Sequence, residues 1–313
     1  MKSSAPFSIG IDLGGTNIKL VAVTQDGSVL KRVQRPTRDL PDNLGVWVEI
    51  IRQTIAQTES GQGRRAAYIG LATPGMIEPG SRHVAWCPGK LKGIEGFNWT
   101  LAFKRRPMVP LLNDAHAALL GEHWLGAAKE FKSVILLTLG TGVGGAVLEN
   151  GRLLRGAHGL AGALGQISLD PFGESSFYTV PSPLENWIGN QTVSRRSLGK
   201  FKDTRSLVAA VRTGNRAAKK TWHKSIRALA VAIASFKMIL DPEAVIIGGG
   251  ISRAGSMLFQ PLAGELDQVE WRPGGRQMKI LPARLGEWAG AIGAARNAML
   301  WGRKLAKRPG KKG

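Results

Sequence analysis

Apolar residues along the chain either alternate with polar ones or run in short unbroken blocks, a pattern that predicts a mixed α/β protein. "FSIGIDL" over residues 7–13 reads as a buried strand and "NIKLVAV" over 17–23 as a second, with a Gly-Gly-Thr turn between them. Residues 133–148, "SVILLTLGTGVGGAVL", repeat strand, glycine turn and strand. Each meander runs on into a further turn signal, Asp26-Gly27 and Asn150-Gly151. Two such meanders in one chain predict a duplicated α/β architecture with a cleft between its halves. Between them, "AAYIGLATPGMI" is a buried strand running into Thr73-Pro74-Gly75. In "MVPLLNDAHAALLGEHW" a strand meets a helix at Asn113-Asp114, both good capping types. Residues 155–190 are loop-rich. "KKTWHKSIRALAVAIASFKMIL" then carries the period of a long amphipathic helix, and "DPEAVIIGGGIS" reads as a buried strand ending on three glycines. "GEWAGAIGAARNAMLWGRKL" reads as a helix whose small residues permit close packing.

A chain of 313 residues can build two cored domains. The expected division is an N-terminal lobe, residues 1–122, completed by a helix at about 290–305, a C-terminal lobe, 123–289, and a basic tail, 306–313. A single cysteine, Cys87, excludes an internal disulfide and a multi-cysteine zinc site. No apolar run reaches the length of a membrane span. The first strand starts by residue 7, which leaves no room for a signal peptide, so the expected location is the cytoplasm. Charge changes the picture more: 43 Lys and Arg against 22 Asp and Glu give +21. Such a field gathers anions. It is dispersed over "KRVQRPTR", "FKRRP", "SRRSLGKFK" and "GRKLAKRPGKKG", with no aromatic-interleaved RNA motif and no DNA-reading helix, so no dedicated nucleic-acid site is expected.

The first glycine turn, "IDLGGTNIK", is no dinucleotide fingerprint, because a strand rather than a helix follows it. It is also no Walker loop, lacking the GxxxxGK pattern. A hairpin remains whose Gly14, Gly15 and Thr16 offer backbone N–H groups and a hydroxyl to phosphate oxygens. Asp12 beside it can hold Mg²⁺ directly or through water. An ordinary hairpin is the competing reading. The second turn, "LGTGVGG", sets Gly140, Thr141, Gly142, Gly144 and Gly145 at the same point of the second meander, and two facing turns could clamp one polyphosphate. Gly248, Gly249 and Gly250 let a flat group such as a nucleoside approach the backbone.

With "IGIDLGGTNIK", "ATPGMI", "NDAHAALLGE", "LGTGVGGAVLENGRLLRGAHGLAG", "LDPEAVIIGGGIS" and "GAIGAA" in this order, the chain resembles the ROK family of the hexokinase/actin-like ATPase superfamily. The resemblance spans nearly the whole chain. It implies a two-lobed actin-like ATPase (RNase H-like) α/β fold with a central cleft. It further implies ATP and Mg²⁺ as donor and cofactor, a sugar as acceptor, and a homodimer. A sugar hydroxyl would attack the γ-phosphoryl group of ATP with Asp114 as base, while Asn113 holds a neighbouring hydroxyl. Asn98, His158, Gln166 and Glu185 are the further candidates for the sugar. His158 is read equally as a loop histidine bonded to backbone, and Lys19 as a surface residue. Trp86 and Trp99 either shape the pocket or pack in the core.

Two departures bear on the acceptor. Where sugar kinases of the family continue AGExGH, this chain has Ala161-Gly162-Ala163-Leu164-Gly165-Gln166. Ala163 replaces the acid and Gln166 the histidine, and the zinc-binding cysteines are missing from "DPFGESSFYTVPS". No zinc is expected. Losing the acid removes charge-assisted hydrogen bonds worth roughly 1.5–3 kcal/mol each, which points to weaker sugar binding or another acceptor. The function implied is an ATP-dependent sugar kinase acting on glucose or a related hexose. The alternatives are a catalytically weak sugar sensor, here without an N-terminal helix-turn-helix, or a kinase drawing on inorganic polyphosphate.

Overall fold

The computed structural model describes residues 5–39, 45–176 and 178–306. The expected basic tail therefore lies outside the described residues, apart from its first position. In chain order the elements begin β1 (Phe7–Leu13), β2 (Asn17–Thr24), β3 (Val29–Pro36), α1 (Val46–Gln62), β4 (Tyr68–Thr73), β5 (Met76–Ile77) and β6 (Val84–Trp86). They continue α2 (Trp99–Ala102), β7 (Leu111–Asn113), α3 (Asp114–Leu125), β8 (Val134–Leu139), β9 (Val143–Glu149) and β10 (Arg152–Leu153). After these come α4 (Leu184–Ile188), α5 (Val193–Arg196), α6 (Thr204–Arg212), α7 (Arg216–Leu240), β11 (Ala244–Gly248), α8 (Ser256–Val269), β12 (Lys279–Pro282) and α9 (Ala289–Ala306).

The chain divides into two compact units. Unit one runs to Lys129 and takes in Arg155–Leu160 and the chain from Glu287; unit two holds Glu130–Leu154 and Ala161–Gly286. Each contains a five-stranded sheet, ordered β3-β2-β1-β4-β7 in one and β10-β9-β8-β11-β12 in the other. In both, the first three strands form an antiparallel meander and the last two join in parallel, so the duplication read from the two glycine turns extends to whole sheets.

In unit one the two-residue period of β1 sets the geometry. Phe7, Ile9, Ile11 and Leu13 join the core with Ile51, Leu71 and an aromatic group in which Trp47, Phe97, Trp99 and Phe103 stack ring against ring. Gly10 and Asp12, on the alternate positions, turn toward α9. A Cβ on Gly10 would stand 1.9 Å from the carbonyl oxygen of Ala291, and its register partner Gly70 is as tightly covered, 2.1 Å from that of Ala294. α9 is pressed on its other side by α3: a Cβ on Gly293 would stand 1.7 Å from the oxygen of Ala117. The small residues of "GAIGAA" thus bring the helix backbone down onto the sheet.

In unit two, β8 and β11 pack against α4, α6, α7 and α8 through residues such as Ile135, Leu137, Trp222, Ile233, Phe236 and Val245. Asn215 caps α7, its side chain accepting the N–H of Ala218 at 3.0 Å. The far end of α7 is fastened by a buried pair: Lys237 Nζ lies 2.6 Å from Glu270 Oε1 and also donates to the carbonyls of Trp271 and Arg276. The other Glu270 oxygen accepts from Arg272 at 2.8 Å.

Candidate functional site

β1, β4 and β7 run parallel, and the candidate residues of unit one stand at their carboxyl ends, where open α/β sheets place ligands. Asp12 is the penultimate residue of β1, opposite Lys19 on β2 and Ala72 on β4. It shares the face of Gly10, which brings it under the start of α9: a Cβ on Gly290 would lie 2.8 Å from Asp12 Oδ2. Burial pushes the Asp12 carboxyl up from 3.8 to about 7; the charge of Asp114 adds to the rise and that of Lys19 opposes it. Lys19 is not the surface residue expected. Its ammonium is mostly covered and lies 3.4 Å from Glu287 Oε2.

The turn after β1 is tightly braced. Gly14 donates its N–H to the oxygen of Asn17 at 3.0 Å. Buried Thr37 donates its hydroxyl to the Gly14 oxygen at 2.5 Å and its N–H to the Thr16 oxygen at 2.9 Å. Gly14 and Gly15 are half-buried and Thr16 is exposed.

Strand β7 becomes helix α3 at Asn113-Asp114, as the sequence pattern predicts. Asn113 caps the helix, accepting the N–H groups of Ala115 at 2.9 Å and His116 at 3.4 Å and donating from Nδ2 to the Gly75 oxygen at 3.1 Å. Its amide is therefore engaged largely in capping the helix that Asp114 opens and tying it to Gly75. Asp114 is solvent-exposed, and Oδ1 accepts the N–H of Ala115 at 2.8 Å. The crowding of protein around it raises its carboxyl above the ordinary range, opposed by the Ala115 N–H, the charge of Lys90 and the Asn113 side chain. Asp12 and Asp114 thus form a pair of carboxyl groups, each held toward its protonated form, at the same edge of one sheet.

Asn98, read for the sugar, caps α2 by accepting the Leu101 N–H at 3.1 Å. Trp99 is core, whereas Trp86 is exposed. His158 is exposed on a segment tied to unit one by Arg155, which donates to Ser81 Oγ, and by Gly159, whose Cβ would stand 2.4 Å from the Ile77 oxygen.

In unit two the second glycine turn is Gly140-Thr141-Gly142. Its carbonyls accept the N–H groups of Asn190 and Gln191, both at 2.9 Å. Gly144 and Gly145 belong to β9 rather than to the turn; Gly145 admits the loop beside it, its Cβ position lying 2.6 Å from the Gly162 oxygen. Glu185, read for the sugar, lies on the turn: Oε2 accepts the Val143 N–H at 3.3 Å and stands 2.3 Å from where a Gly142 Cβ would be. Gly249, with φ of +87°, abuts the Leu139 backbone just before this turn, while Gly250 faces open space. Ala163 is exposed, and the buried amide oxygen of Gln166 has no hydrogen-bond partner among the described residues.

Among the described residues no group of three or more His, Cys, Asp or Glu could hold a metal, and no helix is long and apolar enough to cross a membrane. A single carboxylate suits Mg²⁺, which commonly takes one or two protein oxygens and completes its shell with substrate phosphates and water. Asp12, with no hydrogen-bond or ion-pair partner among the described residues, fits that part. Sequence reasoning missed Lys90 and Glu287, which carry no motif of their own, and read Gly290 only as part of the close-packing "GAIGAA" helix.

The ROK family model matches residues 8–300. The chain is 35% identical over 309 residues to a glucokinase of Thermotoga maritima, covering 92% of this chain and 95% of that one. It is 28% identical over 296 residues to an N-acetylmannosamine kinase of Escherichia fergusonii, covering 92% and 97%. A ROK family glucokinase from Streptomyces griseus, solved in complex with glucose and AMPPNP, matches with a TM-score of 0.77 at 25% identity over 94% of this chain and 99% of that one.

Proposed function

Because the chain belongs to the ROK family and is an ATP-dependent carbohydrate kinase, we propose that it transfers the γ-phosphoryl group of ATP to a hydroxyl of glucose or a related hexose, with Asp114 as general base. The observation that carries this reading is the pair Asp12 and Asp114 at the carboxyl ends of β1 and β7, beside the braced Gly14–Thr16 turn. Asp114 accepts the hydroxyl proton as the oxygen attacks, and Asn113 holds its carboxylate in place through the helix cap. The N–H groups of Gly15 and Thr16, that of Gly14 being taken by Asn17, meet the charge that spreads over the transferring group. Asp12 holds Mg²⁺, which when bound offsets phosphate charge. In unit two, Gly140–Gly142 and Gly248–Gly250 give the nucleotide close access to backbone. The unpartnered Gln166 oxygen there is suited to accept a sugar hydroxyl.

Exposed Ala163, where the family has an acid, favours weaker sugar binding or an acceptor other than glucose. The test is ADP release with Mg·ATP across glucose, mannose, N-acetylmannosamine, other aminosugars and polyols, with product mass confirmed. Turnover of one hexose supports the reading. Nucleotide binding without turnover of any acceptor overturns it in favour of a sensing role. The +21 charge makes polyphosphate the second donor to try. Transfer from ATP alone removes that alternative.

A further inference from the structure

Lys90 has no part in the roles assigned above, yet the fold fixes its position. Exposed lysines ordinarily sample many rotamers on a solvated backbone. Here the backbone is tied on both sides: Cys87 donates its N–H to Glu95 Oε1 at 2.6 Å, and fully buried Leu91 donates to Asp39 Oδ2 at 2.8 Å. Asp39 lies two residues after Thr37, whose hydroxyl and N–H brace the first glycine turn. One short strap, residues 37–39, therefore holds both the turn and the loop that carries Lys90. The side chain lies against that turn, its Cδ 3.7 Å from where a Cβ on Gly15 would stand. Its ammonium has no hydrogen bond or ion pair among the described residues, and its charge reaches the carboxyl of Asp114.

We propose that Lys90 is a further catalytic residue, whose side chain, carried against Gly15 of the Gly14–Thr16 turn, donates from its ammonium to the equatorial oxygens of the phosphoryl group during transfer. This inference rests on the kinase reading above. In the step, the acceptor oxygen bonds to the γ-phosphorus and its proton passes to Asp114. The bond to the β–γ bridging oxygen breaks, its electron pair leaving with ADP. Lys90 keeps its proton throughout and meets charge that is greatest midway, so its effect falls on turnover rather than on ground-state nucleotide binding.

The test compares Lys90→Met and Lys90→Arg with the wild type, using the acceptor of highest turnover. Two readouts are taken: steady-state kinetics, and calorimetric affinity for MgADP with and without aluminium fluoride. Lys90→Met is expected to lower kcat about 100-fold with KM for ATP changed less than about threefold. It also loses the extra affinity that aluminium fluoride confers on MgADP, while MgADP alone binds as before. Lys90→Arg, which keeps the charge, recovers at least a tenth of the lost rate. Unchanged thermal midpoints exclude misfolding. Wild-type kcat and trapping in Lys90→Met overturn the inference alone, as does an equal loss of MgADP affinity with and without aluminium fluoride. A wild type that neither turns over nor traps overturns the kinase reading and this inference with it.

Discussion

Asp12 titrates in the range that decides its proposed task, since a carboxyl raised to about 7 is half-protonated near neutral pH but must lose its proton to hold Mg²⁺. With that value, the ionised fraction rises from roughly 0.09 at pH 6 to roughly 0.9 at pH 8. The advantage of wild type over Asp12→Asn in binding Mg·AMPPNP should therefore grow about tenfold across that window. Taking the ratio to the variant cancels the nucleotide's own titration. Calorimetry in two buffers of different ionisation enthalpy should record about half a proton released at pH 7 in the wild type beyond that in the variant. Stability runs the opposite way. A folded carboxyl raised above its unfolded 3.8 contributes stability that is fully present below 3.8 and lost as pH rises through about 7. The forced charge then costs at most roughly 4 kcal/mol, so Asp12→Asn should unfold at a higher temperature than wild type at pH 8 and near the same temperature at pH 4. A flat affinity ratio from pH 6 to 8, together with no gain in stability for the variant at pH 8, would refute the reasoning.

Asp114→Asn should lower kcat by about 10²–10⁴ with AMPPNP affinity nearly unchanged, measured by ADP release and calorimetry; equal turnover removes Asp114 as base. The same variant removes the charge that adds to the rise of Asp12, so the affinity window should move to lower pH. Gly293→Ala drives a Cβ into the Ala117 carbonyl and should cost about 3 kcal/mol or more, read as a lower midpoint in urea. Glu270→Ala strands Lys237 in the core of unit two and should cost about 3–5 kcal/mol. Replacing both Lys237 and Glu270 with Met should recover much of that loss.

What the sequence disclosed was local. "DLGGT" and "ND" announce themselves because a turn between strands and a helix cap are each written in a few adjacent residues, and both are present as read. The alternation in β1 even implies that Asp12 shares a face with Gly10. The sequence assigns a helix at about 290–305 to this lobe. That its Gly290 sits directly over Asp12 was not legible, since the two lie far apart along the chain. Lys90 was invisible for the same reason: only the hydrogen bond from Leu91 to Asp39 brings it to the turn. Some residue types serve two purposes, and the sequence does not separate them. Asn98 and Glu185 were read for sugar hydroxyls, yet the same oxygens accept backbone N–H groups, one at a helix start and the other at a glycine turn. Gly144 and Gly145 looked like more of the turn, but a strand beside a packed loop also calls for glycine.

The placement of α9 has a consequence for biosynthesis. Its residues lie after both sheets, yet it covers the glycine faces of β1 and β4 in unit one. At 5–20 residues per second, roughly 10–40 s separate the synthesis of β4 from that of α9. During that interval the nascent sheet of unit one presents an uncovered face, while almost all of unit two comes off the ribosome as one continuous stretch. α9 is also the element that shelters Asp12, so the surroundings of that carboxyl are assembled only after the strands of both sheets have been made. A polypeptide cut short before α9 would offer that bare face to chaperones and proteases, so that a catalytically incompetent fragment marks itself for removal.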